Sequence, residues 1–145
     1  MKSLSQIKRE VDQRAELIGA PESSLPTYGR SEDFARPHIE VDSRGYHRVV
    51  VERGEELDRI TTTDLDELLY RVFEGVTFGL ACSYELAHRD ESKDCRRLVF
   101  RRQVELLGKL SESWAARETE RHQQILKDYP FDDAAAMRAR LPNGQ

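Results

Sequence analysis

TDLDELLYRVFEGVTFGLACSYELAHR, residues 63–89, is the stretch whose reading decides the fold. Thr63 followed three residues later by Asp66 reads as a helix start, and Asp64, Asp66 and Glu67 put negative charge where the helix dipole favours it. Leu65, Leu68, Leu69, Val72, Val76, Leu80 and Ala87 recur at helical spacing and form one apolar stripe. At about 1.5 Å per residue the helix is long enough to cross a small domain. The opposite line runs through Glu67, Tyr70, Glu74, Thr77, Phe78, Ala81, Glu85 and His88. Its ends are polar and its middle is not, so the centre of this helix is expected to be covered on both sides.

On the N-terminal side, Ser3 and Gln6 stand in capping-box spacing ahead of Leu4, Ile7, Val11, Ala15 and Ile18, which share one narrow stripe. Gly19 and Pro21 end that helix. Residues 21–37 read as a loop on their proline, glycine and serine content, with Tyr28, Arg30 and Phe34 as anchors pinned to the core and, second, as a contact surface. His38–Asp42 and Tyr46–Arg53 are β-rich runs joined by Asp42-Ser43-Arg44-Gly45, which is turn chemistry and predicts a hairpin. Ile39 and Val41 are expected to face one side of the sheet and Val49 and Val51 to do the same on their strand. Leu57–Thr61 is expected to return as a short third strand.

On the C-terminal side, Asp90–Lys93 is a polar break. Asp94–Leu110 is a helix with Val99, Phe100, Gln103, Leu106, Leu107 and Leu110 on its apolar side. Arg96 falls on that side too, where a cation must snorkel outward or find a carboxylate. Ser111 to about Lys127 forms a further helix with Trp114, Ile125 and Leu126 on one face. The tail has a weak helical signal and loosens at Pro142–Gly144. The whole reads as one α+β domain over 1–145: a small antiparallel sheet of about three strands against four to five helices, with the long central helix at 63–89.

The chain has 145 residues, 38% hydrophobic and 34% charged. That suits one domain with its own core, and no apolar run approaches the roughly 18 residues of a membrane span. The opening MKSLSQIKREV lacks the apolar centre of a secretory signal, so the cytoplasm is the expected location. Cys82 and Cys95 stand without metal-type spacing around them, which argues against a zinc site or a disulfide framework. A formal net charge of −4 disfavours general nucleic-acid binding and suits a basic protein partner.

Three constellations were candidates for chemistry. Glu85 and His88 have ExxH spacing, but a di-iron site needs that motif twice with two more carboxylates. Glu118 and His122 are four apart, not three, so an ion pair at the surface explains Glu85 and His88 better than a metal. Cys95 beside Arg96 and Arg97 has the kind of cationic setting a nucleophilic thiol needs, yet no histidine is placed near it in sequence. The arginines 96, 97, 101 and 102 scatter round their helix, so a solvated, ion-paired face is expected there. No hydrolase, phosphate-loop, metalloprotease or dinucleotide fingerprint is present, and neither cofactor nor metal is expected. An acidic group remains: Glu52, Glu55, Glu56, Asp58, Asp64, Asp66 and Glu67, diluted by Arg53 and Arg59. Helix-dipole complementarity explains the last three; the strand-end members are where a basic partner would dock.

PTYGRSED (26–33), PHIEVDSRGYHRVVVERGEE (37–56), DLDELLYRVFEGVT (64–77), the RR-x₂-F segment (96–100) and HQQILKDYPFDD (122–133) together resemble immunity protein family sixty-three of bacterial polymorphic-toxin systems. The resemblance implies a cytoplasmic, non-enzymatic α+β protein, encoded beside a toxin, that binds and neutralises that toxin. It carries over Tyr28, Tyr46, Glu52, Arg53, His88, Arg89, Arg96 and Arg97, with Arg96 read as structural and Glu52 or Asp66 as its expected partner. The implied mechanism is occlusion of the toxin by the sheet edge and by Glu52, Glu55, Glu56 and Asp58, joined by Tyr70 or Phe78 on the outward line of the central helix. Two readings compete. A regulatory nucleic-acid binder would use Arg97, Arg101 and Arg102, and an enzyme would use Glu85, His88 or Cys95.

Overall fold

Three left-handed non-glycine residues in a row, Asp33, Phe34 and Ala35 at φ of 62°, 56° and 61°, mark the loop that closes against the sheet of this α+β protein. The computed structural model describes residues 1–140, and the loosening expected at Pro142–Gly144 lies outside them. The elements in order are α1 (Leu4–Leu17), a short 3₁₀ turn (Glu22–Ser24), β1 (Thr27–Tyr28), β2 (His38–Asp42), β3 (Gly45–Glu52), β4 (Glu55–Thr62), α2 (Leu65–Ala87), α3 (Cys95–Gly108), α4 (Glu112–Asp128) and α5 (Asp133–Arg140). These residues form two compact units, Met1–Val76 and the part from Thr77 onward, dividing within α2.

In the first unit, α1 starts with the capping box expected of Ser3 and Gln6 and buries Ile7, Val11 and Ala15. The sheet has four strands in the order β1-β2-β3-β4. It is mixed rather than purely antiparallel, because β1 pairs parallel with β2 through Thr27 and Tyr28. Two residues carry no alternation to read, so that strand was invisible in the sequence. The hairpin at Asp42–Gly45 forms as expected, with the Arg44 N–H donating to Asp42 Oδ1 at 2.8 Å. Gly45 is required there, since a Cβ would meet the Thr62 carbonyl oxygen at 2.6 Å. The third strand is longer than expected, Glu55–Thr62, and the turn before it puts Arg53 and Gly54 at φ of 54° and 76°, the signs a tight hairpin turn demands.

Ile39 and Val41 share a face, and Val49 and Val51 share one on their strand, as expected; register decides which faces these are. Ile39 pairs with Arg48 and Val41 with Tyr46, while His38 pairs with Val49 and Glu40 with His47. Directly opposed residues share a face, so Ile39 and Val41 lie on the face opposite to Val49 and Val51. Around Val49, which is buried, the second face is otherwise polar. His47 bridges Asp42 Oδ1 at 2.7 Å and Thr61 Oγ1 at 2.8 Å, and Arg59 joins Glu56 at 2.8 Å to Glu40 at 3.5 Å.

Helix α2 begins one residue later than Thr63 with Asp66 suggested. Asp64 Oδ1 accepts the Asp66 N–H at 3.0 Å, so Asp64 caps the turn. Leu68, Leu69, Val72 and Val76 are buried as expected, together with Tyr70 from the opposite line and with Phe73, which belonged to neither line. Beyond the division, Thr77, Ala81 and Glu85 are buried while Phe78 is half exposed. Both flanks of the helix centre are therefore covered, though not at Phe78.

In the second unit, α3 buries Val99, Gln103, Leu106 and Leu107. Helix α4 buries Trp114, Glu118 and His122 at four-residue spacing, a stripe in which two of three members are ionisable and which hydropathy could not flag. His122 stacks on Phe100 at 3.9 Å and hydrogen-bonds Gln103 at 2.9 Å. Glu118 meets Arg121 at 2.8 Å and His122 at 3.2 Å. Buried charge persists only where it is paired in this way.

Candidate functional site

The residues singled out in the sequence fall into a surface group in each unit and a buried remainder. In the first unit, Glu52, Arg53, Glu55, Glu56 and Asp58 converge on the β3–β4 hairpin end, all exposed. Glu52 and Glu55 pair directly across the turn, and neither has a cationic partner among the described residues. Glu56 is different: the Arg59 guanidinium beside it holds its carboxyl below the usual range. Asp58 reaches Arg48 only at 4.0 Å. Between Val50 and Val51 the register shifts, so that Leu57 is unpaired on β4 and stands 55% exposed. Such a bulge bends an outer strand and re-aims its side chains.

The loop with the left-handed residues is fastened to this hairpin end. The Ala35 N–H donates to the Val51 carbonyl at 3.0 Å, and Asp33 Oδ1 accepts the Gly54 N–H at 3.1 Å. Phe34 is held between them at 88% exposure. That corrects the reading of Phe34 as an anchor pinned to the core. Composition could not show it, because the hydropathy of phenylalanine points inward and only the backbone sign turns the ring out. Held strain of this kind clusters at sites of function.

Tyr46 and Tyr70 are core residues, 3% and 1% exposed, and the Tyr46 hydroxyl accepts the Lys2 N–H at 2.8 Å. Tyr28 sits in β1 with its hydroxyl buried and unpartnered, and burial pushes its phenol pKa up.

In the second unit, His88, Arg89 and Arg97 are exposed. The ion pair expected of Glu85 with His88 forms with Arg89 instead, at 2.7 Å. His88 donates from Nδ1 to the Tyr84 carbonyl at 2.9 Å and stacks on the Tyr84 ring. Arg97 meets Asp133 at 2.9 Å and lies over the Phe131 ring at 4.3 Å. Arg96 is structural, as expected, but its carboxylate is neither Glu52 nor Asp66. It pairs with Asp94 at 2.8 Å and donates to the carbonyls of Tyr129 at 2.7 Å and Pro130 at 2.9 Å. A recess of about 470 Å³ opens beside these groups, lined among others by Arg89, Lys93, Asp94, Cys95 and by Ala135, Ala136 and Ala139 of α5.

Among the described residues no group of three or more potential metal ligands forms, and no helix is long and apolar enough to cross a membrane. A sequence model of the family described as Immunity protein 63 matches residues 42–124, from the first hairpin turn through most of α4. The chain belongs to this family. No curated protein and no solved structure matches it. The matched span of this Immunity protein 63 member contains the acidic hairpin end, the Arg96–Asp94 pair and the buried Glu118–His122 pair, but neither Phe34 nor the Tyr129 and Pro130 carbonyls that Arg96 binds.

Proposed function

We propose that this protein binds a cognate toxin domain encoded nearby and neutralises it by direct occlusion, acting in the cytoplasm of the producing cell as a single 145-residue domain. The observation that carries the proposal is the pair Glu52 and Glu55. Two carboxylates directly opposite each other on neighbouring strands repel, and a fold gains nothing from leaving both without a cation at an exposed turn. A basic surface on the toxin removes that repulsion, and Glu56 and Asp58 extend the same field along β4. Charge of this kind speeds encounter.

Affinity needs a different kind of group, because exposed charge pairs contribute little. Phe34 supplies it. An aromatic ring held out from a fastened loop loses little freedom on docking, and anchors of this type dominate interface energies. Occlusion requires no chemistry from the protein, only an interface of about 1,600 Å² in total.

Co-expression with each neighbouring open reading frame tests the proposal. A neighbour that is toxic alone, harmless together and co-purified at fixed stoichiometry supports it; no toxic neighbour and no co-purifying partner overturns it. The variant pair Glu52→Lys and Glu55→Lys then separates this surface from the His88, Arg89 and Arg97 group, since only the former should lose rescue.

A further inference from the structure

Arg48 is a cation inside the first unit whose surroundings do not satisfy it. It lies mid-strand in β3, on the face shared with Ile39 and Tyr46, with its side chain 16% exposed. Its ion-pair partner, Asp58, stands at 4.0 Å, the outer limit of such a contact, and is itself 58% exposed. No hydrogen bond to the guanidinium occurs among the described residues. Burial pulls its pKa down, against the opposing pull of Glu74 and Asp58. A guanidinium carries five donors in a fixed fork, and leaving them unmade in a low-dielectric setting is costly.

The space beside it is kept open. Arg48 lines a recess of about 130 Å³ whose other walls are Ser24, Pro26, Pro37, Val72, Gly75 and Val76. Gly75 is in the middle of a helix turn, where glycine costs about 1 kcal/mol relative to alanine. The reason for it is steric: a Cβ there would stand 3.2 Å from Arg48 Nη2. Glycine lets the guanidinium lie against the helix backbone, and the two prolines bring no N–H donors that would suit a polyanion.

We infer that the recess beside Arg48 binds a carboxylate group, held by the guanidinium with its carbon stem against Val72, Val76 and the prolines. The volume is about that of four water molecules, which fits a carboxylate with one or two methylenes. One planar cation among walls that are apolar but for Ser24 matches a planar monoanion in two parallel hydrogen bonds. A phosphate dianion would bring more charge than the single cation of this recess balances. The carboxylate is either an aspartate or glutamate side chain of a partner protein or a free small acid.

Propionate tests the site on the intact protein without any partner. Titration followed by the Arg48 Nε–Hε resonance and the Val72 and Val76 methyls should give saturable shifts in the millimolar range. Arg48→Met, which keeps the stem and removes the fork, should abolish them. Gly75→Ala, which favours the helix and crowds the guanidinium, should keep the fold and weaken propionate about tenfold, the loss of one charge-assisted hydrogen bond. If the Arg48 resonance moves no more with propionate than with equal chloride, the inference is wrong, whether or not Arg48→Met folds. Should a toxin partner be in hand, Arg48→Met weakening that complex about tenfold assigns the carboxylate to the partner. An unaffected complex with propionate still saturating assigns it to a free acid. The titration does not depend on the toxin reading, so the failure of either is visible without the other.

Discussion

Glu52 and Glu55 face each other across the β3–β4 turn, in direct cross-strand register, with no cation bound to either among the described residues. Relief of that repulsion is a measurable property of the free protein. Glu55→Gln should raise its stability by about 0.2–1 kcal/mol, read by urea unfolding. The same change should slow association with a basic partner, most visibly at low salt. A destabilised Glu55→Gln with an unchanged association rate would remove the case for this turn.

Phe34 gives the complementary outcome. At 88% exposure its truncation to alanine should leave stability within about 0.5 kcal/mol of the parent. The complex should lose about 2 kcal/mol or more, read by calorimetry, as expected of an interface anchor. The neighbouring Ala35 at φ of 61° offers a control. Ala35→Gly should stabilise the free protein by up to about 1 kcal/mol by relieving a left-handed alanine, provided the loop keeps its fastening to Val51.

Arg96 and Asp94 set the acid limit of the second unit. The Arg96 guanidinium, helped by the N–H groups of Asp132 and Arg96, holds the Asp94 carboxyl far below the ordinary carboxylate range despite burial. A carboxyl whose folded pKa is depressed contributes stability that is present above its unfolded pKa, about 3.9, and lost as pH falls through the folded value. Urea stability should therefore decline from about pH 4 downward, and Asp94→Asn should flatten that slope while lowering stability at neutral pH. Arg96→Ala, which leaves the Tyr129 and Pro130 carbonyls without their donor, should cost about 1–3 kcal/mol.

His122 tests the buried polar stripe. Its ring packs on Phe100 and holds Gln103 Oε1, so His122→Ala opens a cavity and strips a buried acceptor of that partner at once. A loss of about 2–4 kcal/mol is expected by denaturant unfolding. A loss below about 0.5 kcal/mol would mean that the α3–α4 pairing does not depend on this network.

Much of the fold was legible because its signals are local. The Ser3–Gln6 capping box, the Asp42–Gly45 turn, the stripe from Leu68 to Val76 and the stripe from Val99 to Leu107 each follow from residues within one or two turns of one another. Local spacing fixes which backbone hydrogen bonds close and which side chains share a face. The acidic hairpin end was legible for the same reason, since a two-residue turn brings Glu52 beside Glu55 without help from the rest of the chain.

What only the tertiary structure decided depends on partners far apart in sequence or on the sign of a backbone angle. Arg96 takes its carbonyls from residues 33 and 34 positions away, and periodicity carries no such address. The parallel pairing of β1, the burial of Glu118 and His122, the turning out of Phe34 and the unfilled space beside Arg48 are of the same kind. Each is set by which surfaces meet, and a one-residue change of register or one left-handed φ reverses which way a side chain points. Composition and spacing are unaltered by either change, so the sequence by itself determined the elements, and packing determined the surface they present.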